Sequence, residues 1–280
     1  MADIWGDAGG EPTILAEVRE GVGVVTLNRP ARLNAWTPDM GTLYFDTLDQ
    51  LARNDEVRAI LVHGAGRAFC AGADMSGLSG LTETGGFGQA RDPRSYWFPM
   101  SIGKPIVAAI KGPCYGVGLQ QALVADVRFG ATDAKISGPY AKRGLIAEVG
   151  ISWMLSRIVG VGHAMDLMLS GRALTGEEAL AMGLINRLVE PDALFDEAFA
   201  YARAMAGECS PWSMRMIKQQ LYHDLMRGFS PSFQHSEDLL QVAMQGADFR
   251  EGIAAFRDKR PLDFSPLAPD LARLDPWPEG

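Results

Sequence analysis

Short apolar runs and helical repeats alternate along most of this chain. The apolar runs have strand length and lie at residues 14–18, 23–28, 59–62 and 106–110. A run that is apolar throughout is typical of a strand whose two faces are both covered. After the second run, apolar residues recur every three or four positions, as on one face of a helix: Met40, Leu43, Tyr44, Leu48 and Leu51. The alternation of strand-length apolar runs with helical repeats predicts an α/β core.

Polar and special residues at the ends of these runs predict where elements start and stop. The first two runs flank Glu20 and Gly21, so we expect a hairpin there. Thr37 followed by Pro38 has the form of a helix N-cap with proline at the first helical position. We expect that helix to end near Asn54.

The pattern becomes helical towards the end of the chain. TGEE at 175–178 has capping-box spacing and predicts a helix over 179–182, with a last strand at 185–189. Ser210 and Ser230, each followed by proline, mark two later helix starts. The later helices are expected over residues 194–205, 211–225, 231–245 and 247–257. An all-helical end after an α/β core predicts an appendage that packs on another subunit.

These patterns divide the chain into four parts. Residues 1–12 are expected to form a flexible arm and residues 13–205 the α/β core. Residues 206–262 are expected to form a helical oligomerisation region, and residues 263–280 an irregular tail. The core is therefore the part in which we look for a site.

Composition and charge exclude several classes of protein. Hydrophobic residues make up 47% and charged residues 21% of the 280 residues, as is usual for globular proteins. The net charge of -8 argues against a nucleic-acid partner. Cys70, Cys114 and Cys209 lack metal-like spacing, which fits a reducing cytosol and no metal site. No signal-peptide pattern and no apolar run of about 18 residues is present, so we expect a cytoplasmic protein without a membrane segment.

The most informative stretch is residues 104–130, where an apolar strand runs through a glycine-rich turn into an apolar helix. Gly112, Gly116 and Gly118 break the chain before that helix, so backbone N–H groups near Val117 are expected to lack partners. Two such amides aimed at a substrate carbonyl would stabilise an oxyanion, by on the order of 3 kcal/mol for one donor. The alternative is that the glycines only allow a helix and a strand to pack tightly.

A second turn of small residues, AFCAGAD, occupies residues 68–74. The segment that follows, 76–99, is rich in Gly, Ser, Thr and Pro, as expected of a functional lid or a disordered loop. It ends in the aromatic cluster Tyr96, Trp97 and Phe98. We expect this cluster either to form a lid or pocket wall, or to fill the core.

Together the two turns, AFCAGAD at 68–74 and GPCYGVGLQQALVAD at 112–126, resemble the crotonase superfamily of enoyl-CoA hydratases and isomerases. Four more blocks carry the resemblance, at residues 28–35, 142–160, 169–189 and 249–260. It implies a crotonase-like spiral of ββα repeats, with C-terminal helices that assemble homotrimers, often stacked as hexamers. It also implies an enzyme of fatty-acid metabolism that holds no permanent cofactor and receives coenzyme A as part of its acyl-CoA substrate.

The resemblance assigns an oxyanion hole and a coenzyme A site. By motif position, the N–H groups of Ala73 and Val117 grip the thioester carbonyl, where they would stabilise an enolate. The substrate and coenzyme A contacts that it implies are Arg32, Leu33, Ala71, Ala73, Asp74, Met75, Gly116, Val117 and Pro139. Asp74 is expected to serve a structural or nucleotide-side role. Arg67 and Lys259 would either help with phosphates or be solvated surface charges.

The catalytic acid and base are the residues in doubt. Family members that add water carry two glutamates, and their positions hold Gln120 and Tyr140 here. Glutamine does not exchange a proton near neutral pH, and tyrosine has an ordinary pKa of about 10. Glu148 lies where isomerase and dehalogenase branches place a catalytic carboxylate. Its apolar neighbours, Ile146 among them, are expected to raise its pKa by desolvation, or else Glu148 only satisfies amides at a helix start.

These residues favour isomerisation of a double bond by one carboxylate, Glu148. Hydration stays open if Glu148 positions the water while Tyr140 or Gln120 holds it. A second reading is an acyl-CoA-binding protein that has lost its chemistry, since the glutamate pair is missing. A third is a decarboxylase or hydrolase that draws on Tyr140.

Overall fold

The apolar runs form two sheets in the computed structural model, which describes residues 11–74 and 92–277. The larger sheet has six strands and the smaller has three, named here in the order in which they lie side by side. The strands of the larger sheet are β1 Ile14–Arg19, β2 Val22–Leu27, β3 Ala59–Gly64, β4 Ile106–Ile110, β6 Val127–Ala131 and β9 Arg187–Val189. Those of the smaller sheet are β5 Pro113–Tyr115, β7 Lys135–Ser137 and β8 Leu174–Thr175.

The strand pairing confirms the α/β prediction. β1 and β2 form the expected antiparallel hairpin, with Ile14 opposite Leu27. β2, β3, β4, β6 and β9 run parallel to one another, and β4 is buried along its whole length. A parallel strand covered on both faces needs apolar residues at every position, which is why the runs do not alternate.

Eight helices connect or follow the strands among the described residues. They are α1 Pro38–Arg53, α2 Val117–Leu123, α3 Ile151–Ser170, α4 Gly176–Ala181, α5 Leu194–Glu208, α6 Pro211–Asp224, α7 Phe229–Gln245 and α8 Ala247–Asp258. The predicted caps are present at Thr37, which accepts a hydrogen bond from the Met40 amide, and at Thr175, which forms a capping box with Glu178. Ser210 caps α6 by accepting a hydrogen bond from the Ser213 amide.

Several boundaries differ from the predicted ones. The turn at Gly112 leads first into β5, a three-residue strand that periodicity cannot reveal because it is so short. Helix α7 begins at Phe229 with Gly228 before it, so Ser230 lies inside the helix and does not cap it. Helix α3 is interrupted at Gly160, whose φ of 77° is not helical. The last strand covers only residues 187–189 of the expected 185–189.

The large sheet has a core on each face. Alternate side chains of a strand point to opposite faces, so neighbouring residues of β2 and β3 enter different cores. One core contains Val25, Val62 and Ala108 with Tyr44 and Leu48 of α1. The other contains Val24, Leu61 and Val107 with Ala198, Phe199 and Ala202 of α5.

The C-terminal helices are attached to the core unequally. Lys218 of α6 is buried and donates to Asp126 at 2.8 Å, and Asp126 also accepts from the Tyr222 hydroxyl. Helix α7, in contrast, has no buried residue. Residues 263–277 contain one short 3-10 helix, at Pro269–Leu271, and they are attached to the core, since the Gly103 amide donates to the Ala272 carbonyl. None of the helices in the described ranges is long and apolar enough to cross a membrane.

Candidate active site

The two small-residue turns run side by side. Cys70 and Cys114 form a parallel bridge, in which the Cys70 amide donates to Pro113 at 3.1 Å and the Tyr115 amide donates to Cys70 at 2.9 Å. Ala73 lies three residues after Cys70, and Val117 lies three residues after Cys114. The bridge therefore sets the two predicted amide donors at equivalent positions of neighbouring segments.

Glycine is required where the turns meet. Gly72 and Gly116 both have positive φ, of 105° and 52°, a region that L side chains rarely adopt. A Cβ on Gly116 would lie 4.0 Å from the Gly72 Cα, so the two backbones approach each other directly. A Cβ on Gly118 would lie 2.3 Å from the Cys70 carbonyl oxygen, which excludes any side chain there.

The amides of Ala73 and Val117 have no acceptor within residues 11–74 and 92–277. Trp36 pairs with the residues on either side of Ala73, because its amide donates to Gly72 and its carbonyl accepts from Asp74. The Ala73 amide is left out of this pairing. Val117 is the first residue of α2, a position where a helical N–H has no intrahelical partner. Ala73 is exposed and Val117 is half-buried, so the pair is near the surface.

Asn34 positions the first turn, and the sequence analysis missed it. Its side chain is fully buried, accepts from the Arg29 amide at 2.8 Å, and donates to the Ala65 and Ala68 carbonyls at 3.0 and 2.8 Å. Its φ of 55° is in the left-handed region, which asparagine tolerates better than most residues. The pattern NRPARLNA contained this asparagine, but only the long-range contacts reveal what it does.

Arg29 and Asp74 form an ion pair across the same region. The Arg29 guanidinium donates to the Asp74 carboxylate at 3.0 Å and also to the Ala35 carbonyl. Both side chains are largely buried, with exposed fractions of 21% and 16%. This contact ties the segment before α1 to the end of the AFCAGAD turn. The observed geometry fits the structural role expected of Asp74.

Two of the predicted coenzyme A contacts, Arg32 and Leu33, belong to the segment that pairs with this turn. The Ala71 amide donates to the Leu33 carbonyl at 3.0 Å, and Leu33 has a φ of 51°. Arg32 is exposed at the end of a short 3-10 helix. Pro139 is half-buried next to Tyr140. Met75, which was also predicted, lies outside the described residues.

Gln120 and Tyr140 are both buried, with 0% and 5% of their surfaces exposed. Neither amide atom of Gln120 has a hydrogen-bond partner in the described part of the chain, and the same is true of the Tyr140 hydroxyl. Gln120 lies three residues after Val117 on α2, so the two side chains share a helix face. The Gly116 amide donates to Ser137, which brings the start of α2 next to the strand that leads to Tyr140.

The Tyr140 phenol is held in its protonated form. Burial first, and then the charges of Glu148 and of Cys114, raise the pKa of Tyr140 above its ordinary value. A tyrosine base needs a lowered pKa, so the surroundings act against that role. Tyr140 is therefore a neutral hydrogen-bonding group at neutral pH.

Glu148 lies in the turn that leads into α3, and its carbonyl accepts from the Ile151 amide at 3.1 Å. The backbone after it is unusual, because Val149 has a φ of 46° and Gly150 a φ of 76°. A positive φ is strained for a β-branched residue, and such strain clusters at functional sites. Of the apolar neighbours of Glu148, Ile146 is 80% exposed, whereas Ile151 is fully buried.

Trp97 packs against this turn. A Cβ on Gly150 would lie 2.7 Å from three atoms of the Trp97 indole, so the ring rests on the glycine backbone. Tyr96 and Phe98 lie against Trp36 and Phe45, with ring centroids 6.5 and 5.3 Å apart. The aromatic cluster therefore packs on the core, and one of its members also supports the Glu148 turn. The rest of the expected lid, up to residue 91, lies outside the described residues.

Four other reactive or charged side chains are not placed to act as catalytic groups: Cys70, His63, Arg67 and Lys259. Burial raises the pKa of the Cys70 thiol to about 12, so it stays protonated. His63 hydrogen-bonds to Thr26 of β2 and packs against Phe195 of α5. Arg67 and Lys259 are exposed. Within residues 11–74 and 92–277, no three His, Cys, Asp or Glu side chains are grouped as a metal site would require.

Comparison with known proteins matches this arrangement to one family. The enoyl-CoA hydratase/isomerase family model matches residues 17–266. The 1,2-epoxyphenylacetyl-CoA isomerase of Escherichia coli K12 is 33% identical over 258 residues, which cover 90% of this chain and 98% of that protein.

Solved structures agree with the sequence comparison. The enoyl-CoA hydratase of Mycobacterium tuberculosis H37Rv is 28% identical, with a TM-score of 0.84 over 91% of this chain and 99% of that one. An enoyl-CoA hydratase of Mycobacterium marinum is 42% identical, with a TM-score of 0.66 over 77% of this chain and 99% of that one. The chain thus belongs to the enoyl-CoA hydratase/isomerase family and has the α/β fold of the crotonase superfamily.

Proposed function

We propose that this enzyme binds an acyl-CoA and isomerises a double bond in its acyl chain through an enolate of the thioester. The observation that carries the proposal is the pair of amides at Ala73 and Val117. They lie at equivalent positions of two adjacent turns and have no acceptor among the described residues. A thioester oxygen between them would accept both hydrogen bonds and would bind more tightly as it gains negative charge.

The proton is moved by Glu148 in this mechanism. Removal of a proton beside the thioester places charge on the carbonyl oxygen, and return of a proton at another carbon shifts the double bond. One carboxylate can perform both steps if it reaches both carbons. Tyr140 and Gln120 are neutral groups and do not replace a second carboxylate.

Three features favour isomerisation over hydration. Both positions of the hydratase glutamate pair hold other residues, the Tyr140 phenol is kept protonated, and of the residues proposed for catalysis Glu148 alone carries a carboxylate. The names of the relatives leave the choice open, because one is named an isomerase and two are named hydratases. The choice between isomerisation and hydration therefore rests on the residues of this chain.

We propose that coenzyme A lies along the edge formed by Arg32, Leu33 and the AFCAGAD turn. Ala71, Asp74 and Met75 would flank the nucleotide side, while Gly116 and Pro139 would border the acyl side. The pairing of Ala71 with Leu33 and of Asp74 with Arg29 keeps this edge in one shape before substrate arrives. No permanent cofactor is needed, because the thioester supplies its own activating group.

Turnover of 3-enoyl-CoA and 2-enoyl-CoA by the purified enzyme tests this function. We expect interconversion of the two, and a loss of at least 100-fold in kcat for Glu148→Gln, in line with general acid-base catalysis. Glu17→Gln is the matched control, since Glu17 is exposed on the edge strand β1. Full turnover by Glu148→Gln would reject the role of Glu148.

A catalytically inactive acyl-CoA-binding protein is the second candidate, favoured by the missing glutamate pair. Calorimetry with acyl-CoA separates the two, because binding without any product over a long incubation would identify a binder. A decarboxylase or hydrolase that uses Tyr140 as a base is less well supported, given the raised pKa of the phenol.

We also propose that residues 206–262 assemble a homotrimer, or a hexamer built from two trimers. Helices α7 and α8 expose large apolar side chains that a solvated helix would not carry. The most exposed are Phe229, Phe233, Val242, Ile253 and Phe256, with exposed fractions of 83%, 56%, 57%, 56% and 87%. Large exposed apolar surfaces mark protein interfaces.

A further inference from the structure

Two buried polar side chains at the proposed acyl site have no partner within the described protein. Gln120 is fully buried, yet neither its amide nitrogen nor its amide oxygen is hydrogen-bonded. Tyr140 is 5% exposed, and its hydroxyl is also unpaired. Buried polar groups in folded proteins are almost always hydrogen-bonded, so each exception calls for an explanation.

Their positions connect both groups to the proposed oxyanion hole. Gln120 lies on the same face of α2 as Val117, three residues further on. Three residues of helix rise about 4.5 Å, which corresponds to a few bonds of an acyl chain that starts at the thioester carbonyl. Tyr140 follows β7, whose Ser137 accepts the Gly116 amide at the start of α2. An acyl chain held by Ala73 and Val117 would pass these two side chains.

Both side chains can form a hydrogen bond with an oxygen atom of a ligand. Gln120 offers two N–H donors and a carbonyl acceptor, and Tyr140 offers one O–H that can also accept. Both remain neutral at physiological pH, so neither would attract an ion by charge. The Glu148 carboxylate acts on the phenol through its negative charge, whereas burial raises the pKa of the Cys114 thiol and keeps it neutral. An anionic acyl substituent would therefore be repelled here, whereas an uncharged one would not.

We infer that Gln120 and Tyr140 form a polar subsite for an acyl-CoA whose acyl chain carries an uncharged oxygen, such as a hydroxyl or ketone. The inference rests on the proposed acyl-CoA function and specifies its substrate class. A plain alkyl chain would leave three polar atoms buried without partners. Sites built to hydrogen-bond a substrate hydroxyl discriminate strongly against the analogue that lacks it.

Calorimetric binding of a matched ligand set tests the subsite. The ligands are hexanoyl-CoA, its 3-hydroxy, 4-hydroxy and 5-hydroxy derivatives, and the CoA monoester of hexanedioic acid. We expect at least one hydroxy derivative to bind tenfold or more tightly than hexanoyl-CoA, and the acid to bind more weakly than hexanoyl-CoA. If no hydroxy derivative gains tenfold, or if the acid binds best, the inference is wrong.

Variants assign the effect to the two residues. Tyr140→Phe and Gln120→Met should each reduce the affinity ratio of the hydroxy derivative over hexanoyl-CoA to less than threefold. Tyr201→Phe is the matched control, because Tyr201 packs on Phe129 in the other core and should keep the full advantage. An advantage that survives both substitutions would overturn the assignment.

The unliganded proteins provide a readout that does not depend on the ligand. A hydroxyl without a partner can be removed without loss, so Tyr140→Phe should melt at or above the temperature of the parent. A drop larger than that of Tyr201→Phe would show that the phenol has a partner in the protein, and would contradict the inference. If no CoA ester binds at all, the proposed acyl-CoA function fails. Equal binding of hexanoyl-CoA and its hydroxy derivatives rejects the subsite alone.

Discussion

Gly116 lies directly against Gly72, with 4.0 Å between the place where a Gly116 Cβ would be and the Gly72 Cα. The two residues are far apart in the chain, and each has a backbone conformation that favours glycine. Each immediately precedes one of the proposed oxyanion donors, Ala73 and Val117. The separation of the donors is therefore set by contact between two backbones, which is stiffer than contact between side chains.

Substitution at Gly118 tests how closely these turns must approach. In Gly118→Ala the new Cβ would lie 2.3 Å from the Cys70 oxygen, so the turns must separate. We expect a loss of roughly 1–3 kcal/mol in the free energy of unfolding, typical of overpacking, and at least a tenfold loss of kcat. Urea unfolding and turnover measure the two effects. Gly207→Ala, with nothing within 4 Å of its new Cβ, is the control and should keep both properties.

The contact of Trp97 with Gly150 predicts a separate effect on Glu148. In Gly150→Ala the Cβ would lie 2.7 Å from the indole, so the turn after Glu148 must shift. Catalysis depends on near-atomic placement of the base, so we expect a tenfold or greater loss of kcat with little change in KM.

Gly144→Ala controls for backbone strain in that experiment. Gly144 also has a positive φ, of 69°, but nothing lies within 4 Å of its new Cβ. Equal losses of kcat in the two variants would show that strain, and not the Trp97 contact, is responsible. A partial recovery of kcat in the double variant Gly150→Ala with Trp97→Leu would support the contact.

His63 gives the protein a pH-dependent stability. Burial, and then the charge of Lys111, lower its pKa to about 4, below the unfolded value of about 6.5. The unfolded chain therefore binds more protons between these values, and stability falls as the pH drops from 6.5 to 4. The shift corresponds to a loss of up to roughly 3 kcal/mol. Urea unfolding at several pH values should show a shallower pH dependence for His63→Gln, and an unchanged slope would contradict this role.

The proposed assembly can be tested at Phe256, which is 87% exposed on α8. Burying a charge in an apolar interface is strongly unfavourable, so Phe256→Asp should release smaller species. Light scattering coupled to size-exclusion chromatography measures the mass of each. Leu15→Asp, on the exposed side of β1, should leave the mass of the parent assembly unchanged. A monomeric parent would reject the proposal.

The sequence by itself determined most of the local structure. Apolar runs without alternation predicted strands that are covered on both faces, because such a strand has no polar side. Thr37, Ser210 and the Thr175 capping box predicted helix starts, because a cap acts on amides within three residues of it. The two glycine turns and their neighbouring blocks were enough to indicate the family, which the comparisons confirm.

Only the tertiary structure decided how the site is built. The meeting of Gly72 with Gly116, the hydrogen bonds of Asn34, and the indole of Trp97 on Gly150 all join residues distant in the chain. The exposure of individual side chains could not be predicted from the sequence either. The apolar Ile146 faces solvent, while the polar Gln120 is fully buried. Residue type predicts an average preference for burial, but the fold determines which atoms are covered and which lack partners. The choice among chemistries therefore depends on contacts that no local pattern encodes.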